Sequence, residues 1–250
     1  MLKILARPIV EASRQLTQME RGFRDPQVTG IDDGARDFWV RHIDDLMAQL
    51  QSMEMTMTIM SAQKLRRHLL LPEVAPIQCH EYVLETRNRL SDEIDSRFLL
   101  ALSRGESEMY TQAAPILGVD VDDAYPSSAY DISEAGKCLA LGRATACVMH
   151  LMRSLETPLS LMYKDLAGKD PDRSAWGNLL IEIRDRVNAL PAADGRKALY
   201  SEAAAHFRAT KNAWRDLAMH ARVRYTVDEA KEVMDACRAF MSSTAQFIRE

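Results

Sequence analysis

The residues best suited to chemistry lie between Ala205 and Arg224. There Arg208, Lys211, Arg215, Arg222 and Arg224 stand against one acid, Asp216, with His220 among them. Five cations less one carboxylate give this segment a charge of +4, in a chain whose net charge is −4. A strip of that sign attracts phosphate. It also describes an ordinary solvated helix face, and both readings stay open at this level. A histidine titrates near pH 6.5 when unperturbed, so it can take or give a proton under neutral conditions. An arginine stays charged and offers a planar fork of donors that matches a phosphate. Spacing constrains how the two could cooperate. Arg208 and Arg215, seven apart, share one face of an unbroken helix with Lys211 between them. Arg215 and His220, five apart, point roughly 140° away from each other. They serve one site only if the helix ends near His220 or if two copies of the segment meet. Otherwise the pair reads as a surface arginine and a histidine facing the negative end of the helix dipole.

Other chemistries find no foothold in the sequence. A di-iron bundle needs Glu-x-x-His pairs, and none of the six histidines has a glutamate three residues before it. No HExxH or clustered Cys/His set occurs, and Cys147-x-x-His150 stands alone. Phosphate-cradling glycine loops and GxSxG are absent as well. The expectation is acid–base chemistry without metal or cofactor. His150, Arg153 and Glu156 are spaced as helical neighbours, which reads as a structural ion pair or as support for a site elsewhere.

The elements that must position these residues read as helices throughout. Apolar residues make up 47% of 250, charged residues 27%, and the chain breakers Gly and Pro number only 10 and 9. Residues 1–34 predict a short helix and a loop. Trp39, Ile43, Leu46, Leu50, Met53, Met57 and Met60 then alternate four- and three-residue steps, a heptad seam that predicts one long helix from Ala35 to Leu71. Pro72 ends it, and a second helix follows over Ile77–Ser103, so the two make a long antiparallel hairpin. The methionine-rich seam reads as core, or as a dimer contact. Gly105, Pro115, Gly118 and Pro126 mark a boundary. The expected division is a hairpin domain at 1–106, a linker at 107–130 and a helical bundle at 131–250.

In that bundle Asp131 and Glu134 predict a capped helix running to Leu166, kinked at Pro158. Further helices are expected over Ala175–Ala189, from Asp194 or Gly195 to His220, and from the capping box Thr226–Glu229 onward. Four cysteines without framework spacing point to a reduced, cytoplasmic protein. No run is long and apolar enough to span a membrane, since Arg143 interrupts the best candidate.

Trp214-Arg-Asp-Leu-Ala-Met-His220-Ala-Arg222, placed before a capping box and a final amphipathic helix, resembles the Arg-x4–6-His signature of the HEPN superfamily. Tyr130 through Arg143 and His150 through Glu156 are similar to the first helix of bacterial HEPN-like proteins. The resemblance spans about Tyr125 to Glu250. It implies an all-α, HEPN-like bundle that cleaves RNA without metal, by attack of the 2′-OH, at a homodimer interface where two motifs face each other. In that reading Arg215 holds the scissile phosphate, His220 moves the proton and Asp216 orients either group. Arg208, Lys211, Arg222 and Arg224 follow the RNA backbone. A toxin, phage-defence or processing role, with an antitoxin or other regulatory partner, belongs to the same expectation, as does the alternative of a catalytically silent RNA-binding or dimerising module.

Overall fold

The computed structural model describes residues 6–24, 30–97, 99–172, 175–218 and 223–250, which are all-α with no strand among them. Contacts divide the chain into two compact units, Met1–Leu100 and Ala101–Glu250. Among the described residues no helix is long and apolar enough to cross a membrane.

The first unit holds α1 (Ala6–Arg24), α2 (Asp33–Ser52), α3 (Thr56–Leu69) and α4 (Pro76–Asp95). Each helix packs on the next and α4 closes back on α1. Leu16, Met19, Ile43, Leu46, Leu50, Leu65, Leu69 and Val83 fill the ring thus formed. The hairpin partners are α3 and α4. They run antiparallel, because Thr58 meets Glu93, Ser61 meets Thr86 and His68 meets Tyr82.

The single helix expected from Ala35 to Leu71 is two helices, and the seam is cut with it. Ile43, Leu46, Leu50 and Met53 are buried, whereas Met57 and Met60 are 50% and 52% exposed. Glu54 enters the left-handed region at φ 54° and ends α2. What holds this break comes from α4. The Glu93 carboxylate accepts from the Met57 and Thr58 N–H groups, at 3.0 and 2.8 Å, and from the Thr58 hydroxyl at 2.6 Å. It thereby caps a helix start that has no side-chain cap of its own. One turn on, the Arg97 guanidinium donates to the Met53 and Glu54 carbonyls left over at the end of α2.

The second unit begins at Ala101, ahead of the stretch expected as a linker. It folds into α5 (Arg104–Thr111), α6 (Val119–Ala124) and a 3-10 turn (Pro126–Ser128), and α5 packs on α7. The helix expected from Asp131 to Leu166 is three: α7 (Ala129–Ala140), α8 (Ala144–Ser154) and α9 (Glu156–Ala167). Gly142 makes the first break at φ 68°, with the Arg143 N–H reaching back to the Cys138 carbonyl. Pro158 makes the second. Lacking an N–H, it leaves the Ser154 carbonyl without its helical donor, and the buried Ser128 hydroxyl donates to that carbonyl at 2.9 Å. Asp131 is not a cap. It lies inside the first turn of α7 and accepts from His150.

The remaining helices are α10 (Trp176–Ala189), α11 (Arg196–Thr210), a π-turn (Lys211–Arg215), the short α12 (Asp216–Ala218) and α13 (Val227–Thr244). The expected capping box is present at α13, where the Thr226 hydroxyl accepts from the Glu229 N–H and the Glu229 carboxylate accepts from the Thr226 N–H. Leu151, Met152, Leu159, Met162, Ile183, Phe207 and Met241 meet in one core.

The double anchor on α4 gives a testable handle. Burial alone would raise the Glu93 carboxyl, but the bonds from Thr58 and Met57 and the charge of Arg97 outweigh it and hold its pKa below the ordinary glutamate value. A carboxylate depressed in the folded state stabilises the fold above its unfolded pKa, and that contribution is lost as pH falls through the folded value. Glu93→Ala should therefore cost about 1–2 kcal/mol in denaturant unfolding at neutral pH. The gap to the parent protein should narrow below about pH 4.

Candidate functional site

Trp176 opens α10 with its ring buried, edge-on to Phe207 of α11. The indole Nε1 donates to Glu156 Oε1 at 3.1 Å. Glu156 is the first residue of α9, so it owes its place to the break before Pro158. Arg215 lies over the same indole, its Cζ 5.0 Å from the ring centroid, within reach of a cation–π attraction. Its Nη2 stands 3.5 Å from the oxygen that already accepts the indole N–H. One carboxylate oxygen thus joins α9, α10 and the π-turn.

The π-turn explains why Arg215 points there. Bonds that span five residues instead of four underwind the helix, so side chains beyond it lag the α-helical 100° per residue. Arg208 and Arg215 therefore do not share a face as their seven-residue spacing predicts. Arg208 is exposed on α11, whereas the Arg215 side chain is 23% exposed and turned onto Trp176. Buried Arg215 Nε has no acceptor among the described residues.

The other named residues distribute as follows. The Asp216 carboxylate pairs with Lys211 and not with the Arg215 guanidinium, its Oδ2 accepting from Lys211 Nζ at 2.6 Å. Lys211 runs past Gly177, where a Cβ would come within 3.7 Å of its Cε. Arg224 is exposed. His220 and Arg222 lie outside the described residues. On the near side of them the chain is fixed by α12, and on the far side by Tyr225, whose N–H donates to Thr145 Oγ1 and whose hydroxyl donates to the Trp214 carbonyl. The expected neighbours His150 and Arg153 both turn to Asp131 Oδ1, at 2.8 and 3.0 Å, and Glu156 leaves them for Trp176 and Arg215. Among the described residues no three His, Cys, Asp or Glu side chains gather as a metal ion would require.

The site is electrically balanced, since Arg215 faces Glu156 and Lys211 faces Asp216. Glu156 is 51% exposed and its contact with Arg215 is long, so this pair is worth at most about 1 kcal/mol. A phosphate that makes two charge-assisted bonds to the guanidinium can displace it. The stacked indole then fixes the plane of the fork while its bonding partner changes. Glu156 and Trp176 were not legible as partners of Arg215 in the sequence, because they lie some sixty and forty residues away. The one local hint was Pro158, which marks a place where a helix must restart.

Comparison of the chain with protein-family models, with characterised proteins and with solved structures returns no match.

Trp176 is the piece whose removal separates packing from polar contact. Trp176→Ala should lower stability by about 3–5 kcal/mol, as loss of a buried ring does. Trp176→Phe should cost only about 1 kcal/mol, the worth of its bond to Glu156. Denaturant unfolding followed by circular dichroism reads both.

Proposed function

We propose that the second unit is a metal-independent endoribonuclease of HEPN type that works as a homodimer. The observation that carries this reading is the Arg215-Asp216…His220 sequence shortly before the boxed α13, with the Arg215 guanidinium half-tethered to an exposed carboxylate. Arg215 binds the scissile phosphodiester and stabilises the charge that builds on it. His220 accepts the 2′-OH proton, the 2′ oxygen bonds to phosphorus, and the 5′ oxygen leaves and is protonated. The products are a 2′,3′-cyclic phosphate and a 5′-hydroxyl end. Two chains meeting at this segment bring together an arginine and a histidine that one helix would point apart. Cytoplasmic toxin or defence work, under a regulatory partner protein, is the setting this chemistry fits.

A second reading rests on the Arg215–Glu156 contact. An arginine already held by a carboxylate and an indole serves RNA binding or dimerisation as well as it serves catalysis, and the domain would then bind RNA without cutting it.

Incubation of RNA with the protein in EDTA separates the two. On the nuclease reading the parent protein cleaves, and Arg215→Ala and His220→Ala each reduce the rate by about a hundredfold or more. Binding without cleavage by the parent protein sinks the nuclease reading and leaves the second. Cleavage that survives both substitutions removes these residues from the mechanism.

A further inference from the structure

A groove of about 450 Å³ runs between α10 and α11. Val187 and three alanines make its apolar lining, and Arg184, Asn188, Ser201, Arg208 and Asn212 make its polar lining. No carboxylate is among its lining residues. Arg184 and Asn188 sit one turn apart on α10, and Arg208 and Asn212 repeat that spacing from α11 into the π-turn. Two arginines thus share a channel with no acid of its own. Arg208 has no ion-pair partner among the described residues. Arg184 is held only by its sequence neighbour Asp185, in a pair with 48% and 59% of the side chains exposed. Such a pair is weak and readily exchanged.

We propose that this groove binds the sugar–phosphate backbone of a single RNA strand and leads it to Arg215. The inference rests on the nuclease reading for the fate of the strand, not for its binding. Charge complementarity names the occupant: one guanidinium without an ion-pair partner among the described residues and one held only by an exposed neighbouring carboxylate want phosphates, and the two asparagines and Ser201 add neutral donors and acceptors that a 2′-OH or a base edge can use. Width selects one strand. Neighbouring helices pack with axes about 8–10 Å apart, and a cleft between them is too narrow for a duplex. Length suits a short stretch, since Ser201 to Asn212 spans about 16 Å along the helix. The lining holds no aromatic ring on which bases could stack, so the groove tracks backbone with little preference for sequence. Continuity gives direction. Asn212 closes the groove and belongs to the same π-turn as Arg215.

The test uses the full chain and a fluorescein-labelled, 2′-O-methyl single strand of mixed sequence, which can be bound but not cut. Anisotropy titrations in EDTA across a salt series compare the parent protein, the double variant Arg184→Gln/Arg208→Gln, and Arg14→Gln in the first unit as a control. The double variant should bind at least tenfold more weakly. Its plot of log affinity against log salt should flatten by about 1.4, the loss of two single-strand phosphate contacts. The control should match the parent protein, and a duplex of the same length should bind more weakly than the single strand. An unchanged affinity and slope in the double variant, a parent protein that ignores the strand, or tighter binding of duplex each overturns the proposal. Failure of the groove is distinguishable from failure of the nuclease. Cleavage lost in Arg215→Ala with normal binding by the double variant rejects the groove alone. Groove-dependent binding with no cleavage of unmodified RNA rejects the nuclease alone.

Discussion

Pro158 has no N–H to give the Ser154 carbonyl, and much of the second unit follows from that missing bond. The helix that the apolar pattern would carry from α7 to Leu166 stops at Ser154 and restarts at Glu156. The orphaned carbonyl is buried, so a donor must be found, and Ser128 supplies it from the turn before α7. That bond draws the start of one helix against the end of another. The restart also frees Glu156 from the line of His150 and Arg153 and presents it to Trp176. From there the order passes to Arg215 through a shared oxygen.

The same logic governs the first unit with the roles reversed. There the break between α2 and α3 has no proline or glycine to announce it. Met53-Glu54-Met55 continues the heptad in composition, and the break persists because Glu93 and Arg97 satisfy both of the ends it exposes. A break made by local chemistry is written where it occurs. One made by a distant cap is written elsewhere in the chain, and only the fold brings the two together.

This difference decides how much was legible beforehand. The all-α class, α10 to within a residue and the capping box of α13 all came from short-range signals: sparse breakers, Pro191 and Thr226–Glu229. Gly142 stands in the sequence as a lone glycine inside a helical pattern, which a helix can tolerate, so it did not announce the break it makes. At the candidate site the cationic strip was legible and its partners were not. Periodicity placed Lys211 beside Arg208 and Arg215, whereas pairing with Asp216 and stacking on Trp176 depend on winding that periodicity does not report. Arg184 lay within reach of reasoning, because two helices joined near Pro191 must run back along each other.

The π-turn has a meaning that extends past this chain. Wider winding over Lys211–Arg215 is what an added residue does to a helix that keeps its neighbours. A homologue one residue shorter there would return its second arginine to the line of Arg208, and an aromatic ring at the position of Trp176 would lose its cation. The turn and the indole therefore depend on each other for the stacked arginine.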